Sequence, residues 1–105
     1  MKKQLFYKTI RNKSGQGYHL EESTGYKKEY INETGATIYI FFDNINGFWG
    51  ATEQETGATI LTGFCDTLKE AQNEINKKIN ILFKIWNTDE IKHARQVKFD
   101  LLCKL

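Results

Sequence analysis

The stretch Thr37-Ile38-Tyr39-Ile40-Phe41-Phe42-Asp43-Asn44-Ile45-Asn46-Gly47-Phe48-Trp49-Gly50-Ala51-Thr52-Glu53 decides the fold. Its first six residues are β-branched or aromatic on both faces, which predicts a central strand covered on both sides, at least in part. Asn46-Gly47 supplies the positive φ angles that a tight hairpin needs. Phe48 to Glu53 then returns as a strand, with Trp49 and Ala51 on one face and Phe48 and Thr52 on the other. The unit is an antiparallel hairpin.

The same six letters, Glu-Thr-Gly-Ala-Thr-Ile, precede and follow this hairpin at residues 33–38 and 55–60. In each copy Thr-Gly stands where one strand ends and the next begins, and glycine adopts the left-handed turn conformation at low cost. After Ile38 and Ile60 the copies diverge, one into a hairpin and the other toward a helix. A supersecondary repeat would keep its period through the next element. The motif therefore reads as one turn solution used twice. If the two turns share an end of the sheet, Glu33, Thr34, Glu55 and Thr56 form an acidic, threonine-rich rim there.

Upstream, Gln4 to Ile10 alternates as a strand, Asn12 to Gly17 is a turn by its glycines, and Tyr18 to Glu21 reads as a short return strand. Ser23-Thr24-Gly25 predicts a further turn. Tyr26 to Ile31 predicts a charged edge strand. Downstream, Ala58 to Phe64 is extended. Thr67-Leu68-Lys69-Glu70 is a capping box, followed by Leu68, Ala71, Ile75, Ile79, Leu82 and Trp86 at helical spacing. Asn87 to Glu90 offers a second cap before Ile91, Ala94, Val97, Leu101 and Leu105. No glycine or proline forces a break at Asn87, so one bent helix and two helices both fit. The expected fold is α+β: a single domain over residues 1–105, with an antiparallel meander of four to six strands and one or two C-terminal helices on one face.

Composition narrows function by exclusion. The chain has 105 residues, 40% of them hydrophobic, with net charge +2, two cysteines and no proline. Its longest apolar run, Ile38 to Phe42, is too short to span a bilayer. The start, Met1-Lys2-Lys3-Gln4, lacks a signal-peptide core, so a cytoplasmic protein is expected, with no membrane partner. His19, Cys65, His93 and Cys103 have no metal-ligand spacing. Cys65 precedes a helix start that could lower a thiol pKa, but Asp66 beside it opposes a thiolate. No glycine-rich phosphate loop is present. The expectation is a non-enzyme with no cofactor and no metal.

The charges are unevenly spread. Lys2, Lys3, Lys8, Arg11 and Lys13 open the chain without an acid among them. Asp43 to Glu74 carries six acids against Lys69 alone. The end turns basic again, including Lys92, Arg95 and Lys98.

Between Gly47 and Ile75 the chain resembles the arm-type DNA-binding module of phage and transposon tyrosine recombinases. The features are Phe48-Trp49, Thr56-Gly57, Phe64 and Thr67-Leu68-Lys69-Glu70-Ala71, about a quarter of the sequence. The resemblance implies a three-stranded sheet followed by a helix, with the sheet laid in a DNA major groove by basic side chains. Here the corresponding strands carry Glu53 and Glu55, and no Lys or Arg occurs between Lys28 and Lys69. Phosphate contact needs cations. The nucleic-acid alternative therefore falls on Lys2, Lys3, Lys8, Arg11, Lys13, Lys92, Arg95 and Lys98.

The stronger expectation comes from surplus aromatics. Helices on one side of such a sheet leave Tyr39, Phe41 or Trp49 partly exposed on the other. With Glu33, Glu53 and Glu55 they would form a protein-binding face or a homodimer contact. Lys-, Asn- and Ile-rich coding without proline is common in short phage and mobile-element proteins. The function expected is a small inhibitor, comparable in kind to anti-CRISPR proteins, that occludes a host or defence protein.

Overall fold

The computed structural model describes residues 2–105. Five strands, β1 (Gln4–Arg11), β2 (Tyr18–Ile31), β3 (Thr37–Ile45), β4 (Phe48–Glu53) and β5 (Thr59–Cys65), precede two helices, α1 (Leu68–Ile85) and α2 (Asp89–Leu102). The strands form one antiparallel sheet in the order β1-β2-β3-β4-β5, so the fold is an α+β meander followed by helices. No helix among the described residues is long and apolar enough to cross a membrane.

The β3–β4 hairpin pairs Ile45 with Phe48 across Asn46-Gly47, both at positive φ. On one face of the sheet Ile38, Ile40, Phe42, Ala51, Leu61 and Cys65 meet Ala71 and Ile75 of α1 and Trp86, forming the main core. Thr67 accepts the Glu70 N–H at 3.1 Å as the expected cap, while Glu70 reaches back not to the cap amide but to the N–H of Asp66, one residue earlier, at 3.3 Å. The stripe predicted for one helix starts there and ends at buried Trp86. Thr88 then caps α2 by accepting from the Ile91 N–H, so the helical third is two helices.

Two expectations for β2 fail. Ser23-Thr24-Gly25 is no turn: β2 runs unbroken through it. Tyr26–Ile31 is no edge strand, since β2 lies between β1 and β3. Residues 18–25 pair with β1 and residues 26–31 with β3, so one long strand serves two stretches of sheet. Gly25 sits at the changeover. A Cβ there would lie 2.3 Å from the Phe42 carbonyl oxygen and 3.1 Å from the Phe6 ring. The local signal for a turn was a requirement for close backbone approach within a strand.

That close approach curls the sheet. Neighbouring strands lie about 4.8 Å apart, so β1 and β3 in a flat sheet would be separated by about twice that. Instead the Phe6 and Phe41 rings stack at 4.6 Å. Farther round, the free edge of β1 donates the Thr9 N–H to the Gly57 carbonyl at 2.9 Å, bridging to the β4–β5 turn. The β1–β2 hairpin thus covers the face that α1 leaves open.

Phe41 is therefore only 3% exposed, which corrects the expectation that it contributes to a binding face. The cover comes from the β1–β2 hairpin through Phe6, not from a helix. Tyr39 and Trp49 are half-buried. Trp49 packs on the α1 side of the sheet, 6.0 Å from Tyr26, while Tyr39 carries the Lys27 ammonium 4.5 Å above its ring.

Candidate functional site

The two Glu-Thr-Gly-Ala-Thr-Ile copies are both turns, with Gly35 and Gly57 at positive φ, and both lie at the same end of the meander. Their hydrogen bonding differs. In the first, the Asn32 carboxamide oxygen accepts from the Thr34 and Ala36 N–H groups, and Asn32 N–H bonds to the Ala36 carbonyl. In the second, Glu53 does the side-chain work, accepting Glu55 N–H at 2.6 Å and Thr56 N–H at 2.7 Å, while Glu53 N–H bonds to Ala58.

Glu53 is consequently sealed at 1% exposure, and Thr56 is buried too. This corrects the reading of Glu53 as part of an accessible acidic rim: a carboxylate that ties a turn from inside is not free to meet a partner. Glu33 and Glu55 remain exposed. Burial raises the pKa of Glu53, against the lowering effect of the two N–H groups and the Thr56 hydroxyl. Lys98 lies close by, its ammonium bonded to the Gln54 carbonyl. Burial lowers the Lys98 pKa, and Glu53 and Glu55 oppose that shift.

The basic residues do not gather into one stripe. Lys98 is buried, which corrects its assignment to a nucleic-acid surface. Lys8 bonds to buried Asp43 at 2.6 Å, inside the curl. Arg11 donates to the Gly15 carbonyl. Arg95 donates to the Trp86 carbonyl, lies over the Trp86 ring and stands 3.7 Å from Glu55. Lys2, Lys3, Lys13 and Lys92 are exposed. Lys92, Arg95 and Lys98 do line one open groove of about 550 Å³ with Glu55, Phe99 and Leu102. Two of its three cations are already engaged by the protein itself.

Cys65 is buried and Cys103 exposed, both as free thiols. Burial raises the Cys65 pKa, and Glu70, Glu74 and Asp66 raise it further, which opposes thiolate formation. Among the described residues no group of three His, Cys, Asp or Glu side chains is placed to hold a metal ion.

Exposed apolar surface lies elsewhere than predicted. Ile45 (51% exposed) and Phe48 (44%) are cross-strand partners at the tip of the β3–β4 hairpin. Gly63 of β5 packs beside them, its Cβ position 3.5 Å from the Phe48 Cβ, and Phe64 follows at 62% exposure. Phe64 is turned out by a bulge. Trp49 pairs with Cys65 and Ala51 with Leu61, so two steps along β4 face four along β5. Thr62, Gly63 and Phe64 have no counterpart on β4, and all three are exposed. Glycine at Gly50 admits the bulge, since a Cβ there would lie 2.9 Å from the Leu61 carbonyl oxygen.

The expected binding face comprises Tyr39, Phe41 and Trp49, and does not include Phe48 or Phe64. The available signal was the pair of strand glycines, Gly50 and Gly63, because glycine inside a strand often marks a bulge. Beyond Phe64 the surface continues into a crevice of about 280 Å³, lined by Phe64, Cys65, Glu70, Asn73, Glu74 and Lys77. Compared with family models, with curated proteins and with solved structures, the chain gives no match.

Proposed function

We propose that this chain is a non-catalytic binding domain that occludes the surface of a partner protein, with Ile45, Phe48 and Phe64 as its apolar contact. The inhibitor role against a host or defence protein, and the phage or mobile-element origin that the composition suggests, belong to the same proposal. The observation that carries it is the bulge that presents Phe64 to solvent next to the Ile45–Phe48 pair. Exposing a large aromatic forgoes about 1.5–3 kcal/mol of burial. Conserving that surface for a partner accounts for it, since hot spots concentrate in such aromatic clusters.

Protein binding is favoured over nucleic-acid binding by the state of the cations. Lys8, Arg11, Arg95 and Lys98 are held by internal partners, and phosphate affinity depends on cations free to neutralise the backbone. The crevice beside Phe64 carries Glu70 and Glu74 against Lys77.

The test is a double variant, Phe48→Ser with Phe64→Ser, whose fold is checked by circular dichroism and thermal melting. A partner from lysate of the source cells should be retained by the original chain in high salt and lost by the double variant. Equal retention by both, or retention on heparin that falls steeply with salt, overturns the proposal.

A further inference from the structure

We infer that the groove between α2 and the β4–β5 turn binds a small amphipathic carboxylate, its anionic head between Lys92, Arg95 and Lys98 and its apolar body on Phe99 and Leu102. The inference stands apart from the partner-occlusion reading, because the two places lie at opposite ends of β4. Phe48 opens that strand at the hairpin tip and Glu53 closes it at the turn, about 17 Å away at the usual rise of a strand.

The state of Lys98 points to a ligand. Lys98 is only 6% exposed and nevertheless lines the groove. Its ammonium donates to the Gln54 carbonyl, one neutral acceptor for three N–H donors. That bond fixes the cation in place without neutralising it. Among the described residues Lys98 belongs to no ion pair. Glu53, the buried acid that acts on it, has its two carboxylate oxygens on the Glu55 and Thr56 amides, and Glu55 stands 3.7 Å from Arg95. A cation taken out of water without a paired anion is costly. An anion in the groove supplies both the missing charge and the missing acceptors. Arg95 adds unmet capacity, since its Nε is buried without a hydrogen-bond partner. Lys92 is exposed and also in no ion pair among the described residues. Three cations thus line the groove against one acid, Glu55.

The helix sorts the lining by polarity. Lys92, Arg95, Phe99 and Leu102 follow one another at steps of three or four residues, so they share one face of α2. The cations come first along that face and the apolar pair last, over about 15 Å of helix. Phe99 is 60% exposed and Leu102 37%. An occupant that meets both halves carries a charge at one end and an apolar body at the other. The groove volume of about 550 Å³ suits a small ligand. A nucleic-acid strand needs cations along its length, whereas these converge on one place and give way to Phe99 and Leu102.

The experiment titrates decanoate, below the concentration at which it forms micelles, into isotope-labelled protein. The amide resonances of Gln54, Glu55 and the second half of α2 should shift and saturate. Acetate keeps the head without the body, and decyltrimethylammonium keeps the body with the opposite charge. Each should bind about tenfold more weakly or worse. Lys98→Met should weaken decanoate about tenfold, the loss of one charge-assisted hydrogen bond. Because position 98 is buried, Lys92→Glu and Phe99→Ser at exposed positions provide the second check: each should weaken binding several-fold while the melting temperature holds. No saturable binding, equal binding of acetate or of decyltrimethylammonium, or affinity indifferent to all three substitutions overturns the inference. So do shifts centred on Phe48 and Phe64, which mark adsorption to the apolar cluster, and inorganic phosphate that competes as strongly as decanoate, which marks an anion site without an apolar half.

Discussion

Phe6 of β1 lies flat on Phe41 of β3, with ring planes 8° apart, although β2 separates their strands. This stack holds the curled hairpin against the face that the helices do not reach. Offset aromatic pairs add about 0.5–1.5 kcal/mol beyond their area burial. Phe41→Ala should cost about 3–5 kcal/mol, and Phe6→Ala a similar amount. Urea denaturation of the two singles and the double should show a total well below the sum, because either change already opens the stack.

Lys8 and Asp43 form the polar counterpart of that stack. Asp43 is 2% exposed and also accepts from the Ser23 hydroxyl at 2.8 Å. Asp43→Asn keeps the shape and the Ser23 bond but leaves the Lys8 cation unpaired, and should cost about 3 kcal/mol. Adding Lys8→Met removes the orphaned charge and should recover much of that loss. Denaturation midpoints of the three variants decide this.

Glu53 and Lys98 give the stability curve two opposite slopes. The folded Glu53 carboxyl has a raised pKa, so the folded state holds its proton longer than the unfolded chain does. Stability attributable to it is complete below the ordinary glutamate range and is lost as pH rises through the higher folded value. Lys98 has a lowered pKa, so its contribution increases with pH between its depressed folded value and the ordinary lysine range. Thermal melting against pH should lose the acid-side decline in Glu53→Gln and the alkaline-side rise in Lys98→Met. Unchanged slopes would remove the assignment.

Gly35 and Gly57 occupy the same place in the repeated six letters, yet should respond differently to alanine. At Gly35 a Cβ meets nothing within 4 Å, leaving only the backbone penalty of about 1–2 kcal/mol. At Gly57 the Cβ would also lie 2.3 Å from the Thr9 hydroxyl oxygen and 2.8 Å from its nitrogen. Gly57→Ala should therefore exceed that penalty and detach β1 from the β4–β5 turn. Melting temperatures and hydrogen exchange at the Thr9 amide check both.

The hairpin at Asn46-Gly47, the capping box at Thr67–Glu70 and the helical stripe to Trp86 were legible because each depends on residues within a few positions of one another. The break at Thr88 was legible as a cap signal, but not as the choice between one helix and two. Gly25 misled because a glycine needed for close approach looks the same in sequence as a glycine needed for a turn. Glu53 misled because its partners are the amides of its own turn, and the Lys98 charge that acts on it comes from α2, 45 residues on.

Local chemistry therefore determined the β3–β4 hairpin, the helix starts and the α+β class of an antiparallel meander followed by helices, but not the continuity of β2 or the number of helices. Which side of the sheet is covered, which charges are consumed internally and which aromatics stay in solvent were decided by the curl of β2 and the bulge of β5. Both arise where separate strands approach one another, and a contact between distant parts of a chain leaves no periodicity in the residues that make it.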